Sequence, residues 1–442
     1  MRKYTIILFI LFKLMSFAYA QSIYNVHQCV NYALENHRSI KISENDLESA
    51  IARKNEGRSG YLPQVNAQFK WEDNLIRQSS LLPPFQLGTF TTTEQVVQFG
   101  AQYNTILGVQ LDQTLLNMSY IEGIRALKPN EELNRLKIVK TEEEVIYNTV
   151  AAYYQILLIV ENEKLIRESE QRLNKTLPIV KLQYEKGVAR KIDVDRVQVN
   201  LNNILSNKEI LRINKDVAIN NLKYNMGMPL DSIIMIDTNY NRNILDISNT
   251  ANTENIKNRI ELKILNQSLI LNEINFKRQK STYYPTLGFY AKYGGNAFGN
   301  KFSQSFTKWT QFAVIGFQMN IPVFDGLRNS STLKQMALNN ENIKQNIAQT
   351  EDAFKLQMLN AKTNMSNAIQ NYNINKQNLD LAKNIFDVTT TQYQKGVTPY
   401  TEVISAEFSY KEAEANYMQS LVKYLSAKLE LDKSNNNLNT YK

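Results

Sequence analysis

Residues 97–111 read Val97-Gln98-Phe99-Gly100-Ala101-Gln102-Tyr103-Asn104-Thr105-Ile106-Leu107-Gly108-Val109-Gln110-Leu111. The odd positions are apolar or Thr, and the even ones are Gln, Asn or Gly with Ile106 as the one misfit. Side chains alternate between the two faces of a strand, so the stretch predicts a long strand that is apolar on one side and polar on the other. Val65, Ala67, Phe69 and Trp71 alternate in the same way with Gln64, Asn66, Gln68 and Lys70. Leu287, Phe289, Ala291 and Tyr293 do so with Thr286, Gly288, Tyr290 and Lys292. The pattern is weaker at 311–323, where Phe312 and Val314 fall on the polar side. Strands are therefore expected at about 61–72, 96–115, 283–293 and 311–323. A soluble β-sandwich would use such alternation, and so would an outer-membrane barrel with lipid outside and water inside. Four strands cannot close a barrel, and an open edge in lipid leaves backbone groups unpaired, so in a membrane other subunits must complete it. Loops 73–95 and 294–310, rich in Thr, Ser, Gly and Pro, then belong at the outer face.

The chain is 442 residues long with a formal charge of +9, yet has only 15 Gly, 9 Pro, 2 His and 1 Cys. So few breakers imply long helices. A single Cys29 excludes a disulfide framework, and two His with one Cys are poor material for a zinc or iron site. His27 and Cys29 fall on different faces of a helix, so with His37 they read as packing residues rather than ligands. No Gly-rich phosphate loop or nucleophile motif is present, and neither an enzyme nor a cofactor is expected. Charged residues are 21%, fewer than a charge-laced coiled coil carries, while 24 Tyr and 18 Phe require some other use. At the start, Arg2 and Lys3, the apolar run Tyr4 to Phe12 and Ala18-Tyr19-Ala20 before Gln21 have the order of a signal peptide over 1–20. That segment is too short to span a bilayer, and Cys29 lies too far beyond it to be a lipid-attached first residue. Loss of Arg2, Lys3 and Lys13 lowers the charge from +9 to +6, dispersed among Glu and Asn, which excludes a nucleic-acid footprint.

An internal repeat organises the rest. Tyr184-Glu185-Lys186-Gly187-Val188 followed by Asp193-Val194 recurs as Tyr393-Gln394-Lys395-Gly396-Val397 followed by Glu402-Val403, at an offset of 209. Gly108-Val109-Gln110-Leu111-Asp112 recurs as Gly316-Phe317-Gln318-Met319-Asn320, and Gly60-Tyr61-Leu62-Pro63 is echoed by Thr282-Tyr283-Tyr284-Pro285. Two repeats are expected, 21–226 and 255–434, joined by a linker 227–254 and followed by a disordered tail 435–442. Helices are expected at 26–60, 118–186 and 192–226 in the first repeat, and at 255–282, 326–395 and 400–434 in the second. Ile146, Val150, Tyr153, Leu157 and Val160 step by 4 and 3, as do Leu173, Leu177, Val180 and Tyr184, with a phase slip between the runs. Pro129 lies inside the first long helix and should kink it. A helix over 118–186 would rise about 100 Å, more than a globular core requires.

With these residues in place, the whole mature chain resembles the TolC family of outer-membrane efflux ducts. The resemblance is carried by Cys29-Val30-Asn31-Tyr32-Ala33-Leu34-Glu35-Asn36, Gly57-Arg58-Ser59, Tyr61-Leu62-Pro63-Gln64, Ala151-Ala152-Tyr153-Tyr154 and the two Lys-Gly-Val turns, in that order. It implies an α+β membrane protein: a homotrimer whose twelve-stranded β-barrel, four strands per chain, sits in outer-membrane lipid and continues as a long α-helical barrel in the periplasm. It also implies a periplasmic adaptor and an inner-membrane pump or exporter as partners, in tripartite efflux or type I secretion. By resemblance, adaptor-docking tips are Lys186, Gly187, Val188 and Ala189 with Lys395, Gly396, Val397 and Thr398. A periplasmic gate is implied at Asp193, Tyr393 and Glu402. Thr398 stands where the family has a gate arginine, with Arg190 or Lys191 as candidate substitutes, and Ser405 replaces a second acidic ring. The residues alone also allow Asp193 and Glu402 to serve only as helix N-terminal acids. The alternative reading of the chain is an elongated structural or adhesive coiled-coil protein of the cell envelope.

Overall fold

The computed structural model describes residues 23–82, 95–237 and 253–442. The expected signal peptide and part of the linker lie outside the described residues. In chain order the elements are β1 (Ile23–Tyr24), α1 (Val26–Asn36), α2 (Arg38–Ser59), β2 (Gln64–Asp73), β3 (Ser79–Leu82), β4 (Gln95–Gln98), β5 (Tyr103–Leu116), α3 (Met118–Arg125), α4 (Leu127–Glu185) and α5 (Lys191–Met226). There follow β6 (Met235–Ile236), α6 (Ile260–Lys280), β7 (Thr286–Gly299), β8 (Trp309–Asn320), α7 (Arg328–Gln394) and α8 (Tyr400–Ser434). The chain divides into two compact units that do not follow the sequence repeats: one draws on 1–46, 135–265 and 345–442, the other on 47–134 and 266–344.

The first unit is helical. Its core gathers Cys29, Val30 and Ala33 of α1, Ile146, Val150 and Tyr153 of α4, Val197, Leu222 and Met226 of α5, and Tyr410, Leu421 and Tyr424 of α8. The expected helix 26–60 breaks at His37, whose backbone is extended and whose Nδ1 accepts from the Ser39 N–H at 3.2 Å, so the ring caps α2. At the end of α5, Gly227 has φ +69° and lies so close to Asn36 and His37 that an added Cβ would stand 2.8 Å from both. Aromatics line a seam between α7 and α8. Tyr372 packs on Tyr417 and Tyr424 at 5.9 and 5.3 Å, Phe386 stacks on Tyr410 at 5.8 Å, and Tyr393 meets Tyr400 at 5.1 Å. Much of the Tyr and Phe content thus serves the helices as well as the strands.

The expected disordered tail is instead ordered. Leu438–Tyr441 forms a 3-10 turn, Leu438 and Tyr441 are buried, and Tyr441 Oη donates to Asp432 at 2.7 Å and pairs with Tyr154 Oη at 3.1 Å. Lys442 closes the end with an ion pair to Glu142 at 3.0 Å. Two apolar anchors spaced three apart suffice to hold an otherwise Asn-rich segment.

The second unit holds a four-stranded antiparallel sheet in the order β2-β5-β7-β8. Its register places Ala67, Val109, Tyr293 and Ala313 side by side, and Phe69 beside Leu107, so the apolar alternations of all four strands share one face. The opposite face carries Asn66, Gln68, Gln110, Asp112, Lys292 and Gln318. Phe312, expected as a misfit there, covers glycines: its ring lies 2.9 Å from a Cβ built on Gly294 and 3.7 Å from one built on Gly108. The expected strand 96–115 is two strands, because the chain turns at Gly100 (φ +89°), and Val97 belongs to a separate hairpin of β3 with β4. The segment 294–310, expected as a loop, is largely ordered as the end of β7, a 3-10 turn Phe302–Phe306 and the start of β8.

Pro129 interrupts the expected helix 118–186. The break falls at Ala126, directly after Arg125, the residue four before Pro129 whose carbonyl the proline cannot bond, and Pro129 itself lies in the first turn of α4, where its missing N–H costs nothing. Its carbonyl accepts from Gln267 Nε2 at 2.8 Å. The proline inside α4 is Pro178, which the periodicity of Leu177 and Val180 hides. Among the described residues no helix is long and apolar enough to cross a membrane, a test that does not address a β-barrel.

Candidate functional site at the paired helical turns

The turns between α4 and α5 and between α7 and α8 have the same construction. Gly187 has φ +75° and Gly396 φ +74°, a region in which a Cβ crowds the following carbonyl, so glycine is favoured. The Gly187 N–H reaches Tyr184 O at 2.9 Å and the Val188 N–H reaches Gln183 O at 2.8 Å. In the second turn the Gly396 N–H reaches Tyr393 O and the Val397 N–H reaches Gln392 O, both at 2.9 Å. Each is a Schellman closure, which satisfies two otherwise orphaned helix carbonyls. The geometry leaves Lys186, Val188, Lys395 and Val397 projecting, with Val188 and Val397 74% and 70% exposed, while Ala189 and Thr398 are half-buried.

The helices that leave the turns differ at their starts. In α5, Arg190 is the N-cap, and its guanidinium meets Asp193 at 3.3 Å (Nε to Oδ2) and 3.4 Å (Nη2 to Oδ1). Asp193 also accepts the Arg190 backbone N–H at 3.2 Å, and is 4% exposed. In α8 the N-cap is Pro399, which has neither a guanidinium nor an N–H to offer, and Glu402 in the first turn is left exposed. Asp193 lies near enough to Tyr393 to act on its hydroxyl, while Glu402 makes no ion pair among the described residues. Burial raises the Tyr393 pKa, and the neighbouring Asp193 carboxylate adds to the rise. Tyr393 Oη and Thr398 Oγ1 are buried without a hydrogen-bond partner among the described residues.

Behind the turns lies a charged and aromatic layer. Lys383 pairs with Glu168 at 2.6 Å, Arg172 sits 4.6 Å from the centre of the Tyr410 ring, and buried Glu407 accepts from Asn200 and pairs with Lys411, each at 2.9 Å. Burial raises the Glu414 pKa above its usual value, against the opposing influence of Tyr410 and Arg172. Tyr400, which packs on Tyr393 at 5.1 Å across the turn, carries no periodic sequence signal, because the turn interrupts the helix between them.

Residues 256–437 match the family model described as outer membrane efflux protein. This segment of the chain is similar to that family. The family is described as one of outer-membrane efflux proteins. Among relatives, alkaline protease secretion protein AprF of Pseudomonas aeruginosa is 19% identical over 312 residues, and outer membrane protein TolC of Salmonella enteritidis is 20% identical over 324. These matches cover 69% and 71% of this chain, which spans 62% of the length of each of the two relatives. The solved outer-membrane channel OprN superposes with a TM-score of 0.74 at 15% identity, covering 93% of this chain and 90% of its own. At that identity the likeness establishes the fold alone.

Proposed function

We propose that the chain is the outer-membrane duct of a tripartite efflux or type I secretion system. Three copies close one twelve-stranded barrel, and the helices continue it through the periplasm as a passive conduit. The observation that carries this reading is the sheet itself. Its strands are 10 to 14 residues long, one face is predominantly apolar, and its edge strands β2 and β8 each leave one side unpaired among the described residues. Spanning strands need about 9–11 residues, and an open edge is tolerated in lipid only when other strands pair with it.

In this reading the two turns are the periplasmic entrance and meet an adaptor through Lys186, Gly187, Val188 and Ala189 and through Lys395, Gly396, Val397 and Thr398. An inner-membrane pump or exporter delivers the cargo, and the names of AprF and TolC leave its class open. The gate is built from Asp193, Tyr393 and Glu402. Asp193 is bound within its own helix by Arg190, so the closed state relies on the unpaired hydroxyls of Tyr393 and Thr398 rather than on a strong ion pair between chains. Three Glu402 carboxylates near a threefold axis favour cations, as acidic rings do in cation channels.

Single-channel recording in planar bilayers tests the proposal. Wild-type protein should conduct with a cation preference that Glu402→Gln lowers, together with block by multivalent cations. A protein that inserts and never conducts would contradict the duct, and unchanged selectivity in Glu402→Gln would remove Glu402 from the pore.

A further inference from the structure

Within the sheet-containing unit, the four segments that join strands to helices are strongly basic. Residues 53–63, 117–128, 275–285 and 321–334 contain Arg53, Lys54, Arg58, Arg125, Lys128, Lys277, Arg278, Lys280, Arg328 and Lys334, against only Glu56, Glu122 and Asp325. Lys54 pairs with Glu131 and Arg125 with Glu122; the other eight have no ion pair among the described residues. Every one of those eight is exposed. A surface stabilised only by its own charges would interleave acids with these bases, and this one does not.

Apolar side chains accompany the charge. Beyond the end of β8 at Asn320, the apolar alternation Ile315, Phe317, Met319 continues through Ile321 and Val323, with Val323 91% and Phe324 81% exposed. The next helix then opens on exposed Arg328. Tyr283 and Tyr284 are exposed just before β7, three and four residues after Lys280. Exposed aromatics next to Lys and Arg at the end of a spanning element are anchors for a membrane interface. A cavity of about 330 Å³ lies at the same level, lined by Gly57, Ser119, Tyr120, Gly123 and Arg278 among others. Neither glycine carries a side chain to fill it.

We propose that this basic collar binds the headgroups of anionic phospholipids in the periplasmic leaflet of the outer membrane, with Lys277, Arg278 and Lys280 as its centre and the cavity beside Arg278 as one phosphate seat. The inference rests on the barrel reading above, which puts the strand-to-helix junctions at that leaflet. Charge complementarity selects the occupant: clustered lysine and arginine beside a bilayer attract anionic lipids, while a zwitterionic headgroup offers no net attraction.

Native mass spectrometry of the full-length assembly in detergent, with phosphatidylglycerol, cardiolipin or phosphatidylcholine added, tests the collar. Wild type should retain the two anionic lipids about tenfold over phosphatidylcholine. The triple change Lys277→Gln, Arg278→Gln and Lys280→Gln should abolish the preference with the helical circular dichroism and the assembly mass unchanged. Lys301→Gln with Lys308→Gln, at the opposite strand ends, should keep it, and millimolar inorganic phosphate should not displace the lipid. Equal retention of anionic and zwitterionic lipid by wild type, full preference in the triple variant, or displacement by free phosphate would overturn the proposal. If the protein reaches the outer membrane as an assembly and shows no preference, only the collar fails; if it does not insert, the barrel reading fails with it.

Discussion

Arg190 Nε lies 3.3 Å from Asp193 Oδ2 across the first turn of α5, and the residue 209 positions after Arg190 is Pro399. One helix start thus neutralises its acid, while the other presents Glu402 unpaired. Arg190 is 70% exposed, so the pair adds little to stability, and Arg190→Ala should cost less than ~1 kcal/mol in thermal unfolding. Its effect should appear in conductance, because the released Asp193 becomes available to Tyr393 and to neighbouring chains. Asp193→Ala combined with Tyr393→Phe should raise resting conductance. Wild-type conductance in both variants would remove this acid from the gate.

The glycine turns separate docking from strain. Nothing lies within 4 Å of a Cβ built on Gly187 or Gly396, so alanine there pays only the left-handed backbone cost, ~1–2 kcal/mol. Gly187→Trp and Gly396→Trp add bulk where a partner tip must approach. Export should persist in the alanine variants and be lost in the tryptophan variants, with assembly and membrane insertion intact in both. Normal export by the tryptophan variants would make the turns simple reversals.

Much of this was legible in the sequence, and the exceptions share a physical origin. Strand alternation is local, so the apolar face of β5 from Leu107 to Leu111 could be read directly. The Lys-Gly-Val turns were equally plain, because glycine takes their left-handed backbone without strain. The interruption near Pro129 was legible too, but the break at His37 was not, since it depends on a contact made by the fold, the His37 ring on the Ser39 amide. The tail was misread because its order depends on Tyr154 and Glu142, nearly 300 residues earlier. Tyr400 went unnoticed because its partner lies across a turn, where helical periodicity is interrupted.

Glu414 gives a pH test of the helical unit. Its pKa is raised from 4.5 chiefly by burial, with Arg172, Lys411 and Tyr410 opposing and Glu168 reinforcing. The folded state therefore favours the neutral acid. No penalty exists below the unfolded value, and stability is lost as the pH rises through the folded one. Glu414→Gln should raise the unfolding temperature at pH 8 and make no difference near pH 4. An equal shift at both values would indicate packing rather than charge.

The sheet faces can be told apart by one charge. Val109 stands between Ala67 and Tyr293 on the apolar face, whereas Gln110 stands on the polar face and donates to Asp112 at 2.8 Å. Val109→Arg should cost ~2–4 kcal/mol if it lies at the bilayer midplane, and Gln110→Arg should be tolerated because it points to water. Folding yield in lipid vesicles, followed by heat-modifiable mobility on gels, reads the difference. Equal yields would contradict a lipid-facing β5.

The central claim is that the open edges of β2 and β8 are closed by other copies of the chain. Mass measurement of the protein extracted from outer membranes in mild detergent tests it most directly. The account predicts a single stable species of three chains. A stable monomer, or an assembly whose copy number does not complete a twelve-stranded barrel, would contradict it.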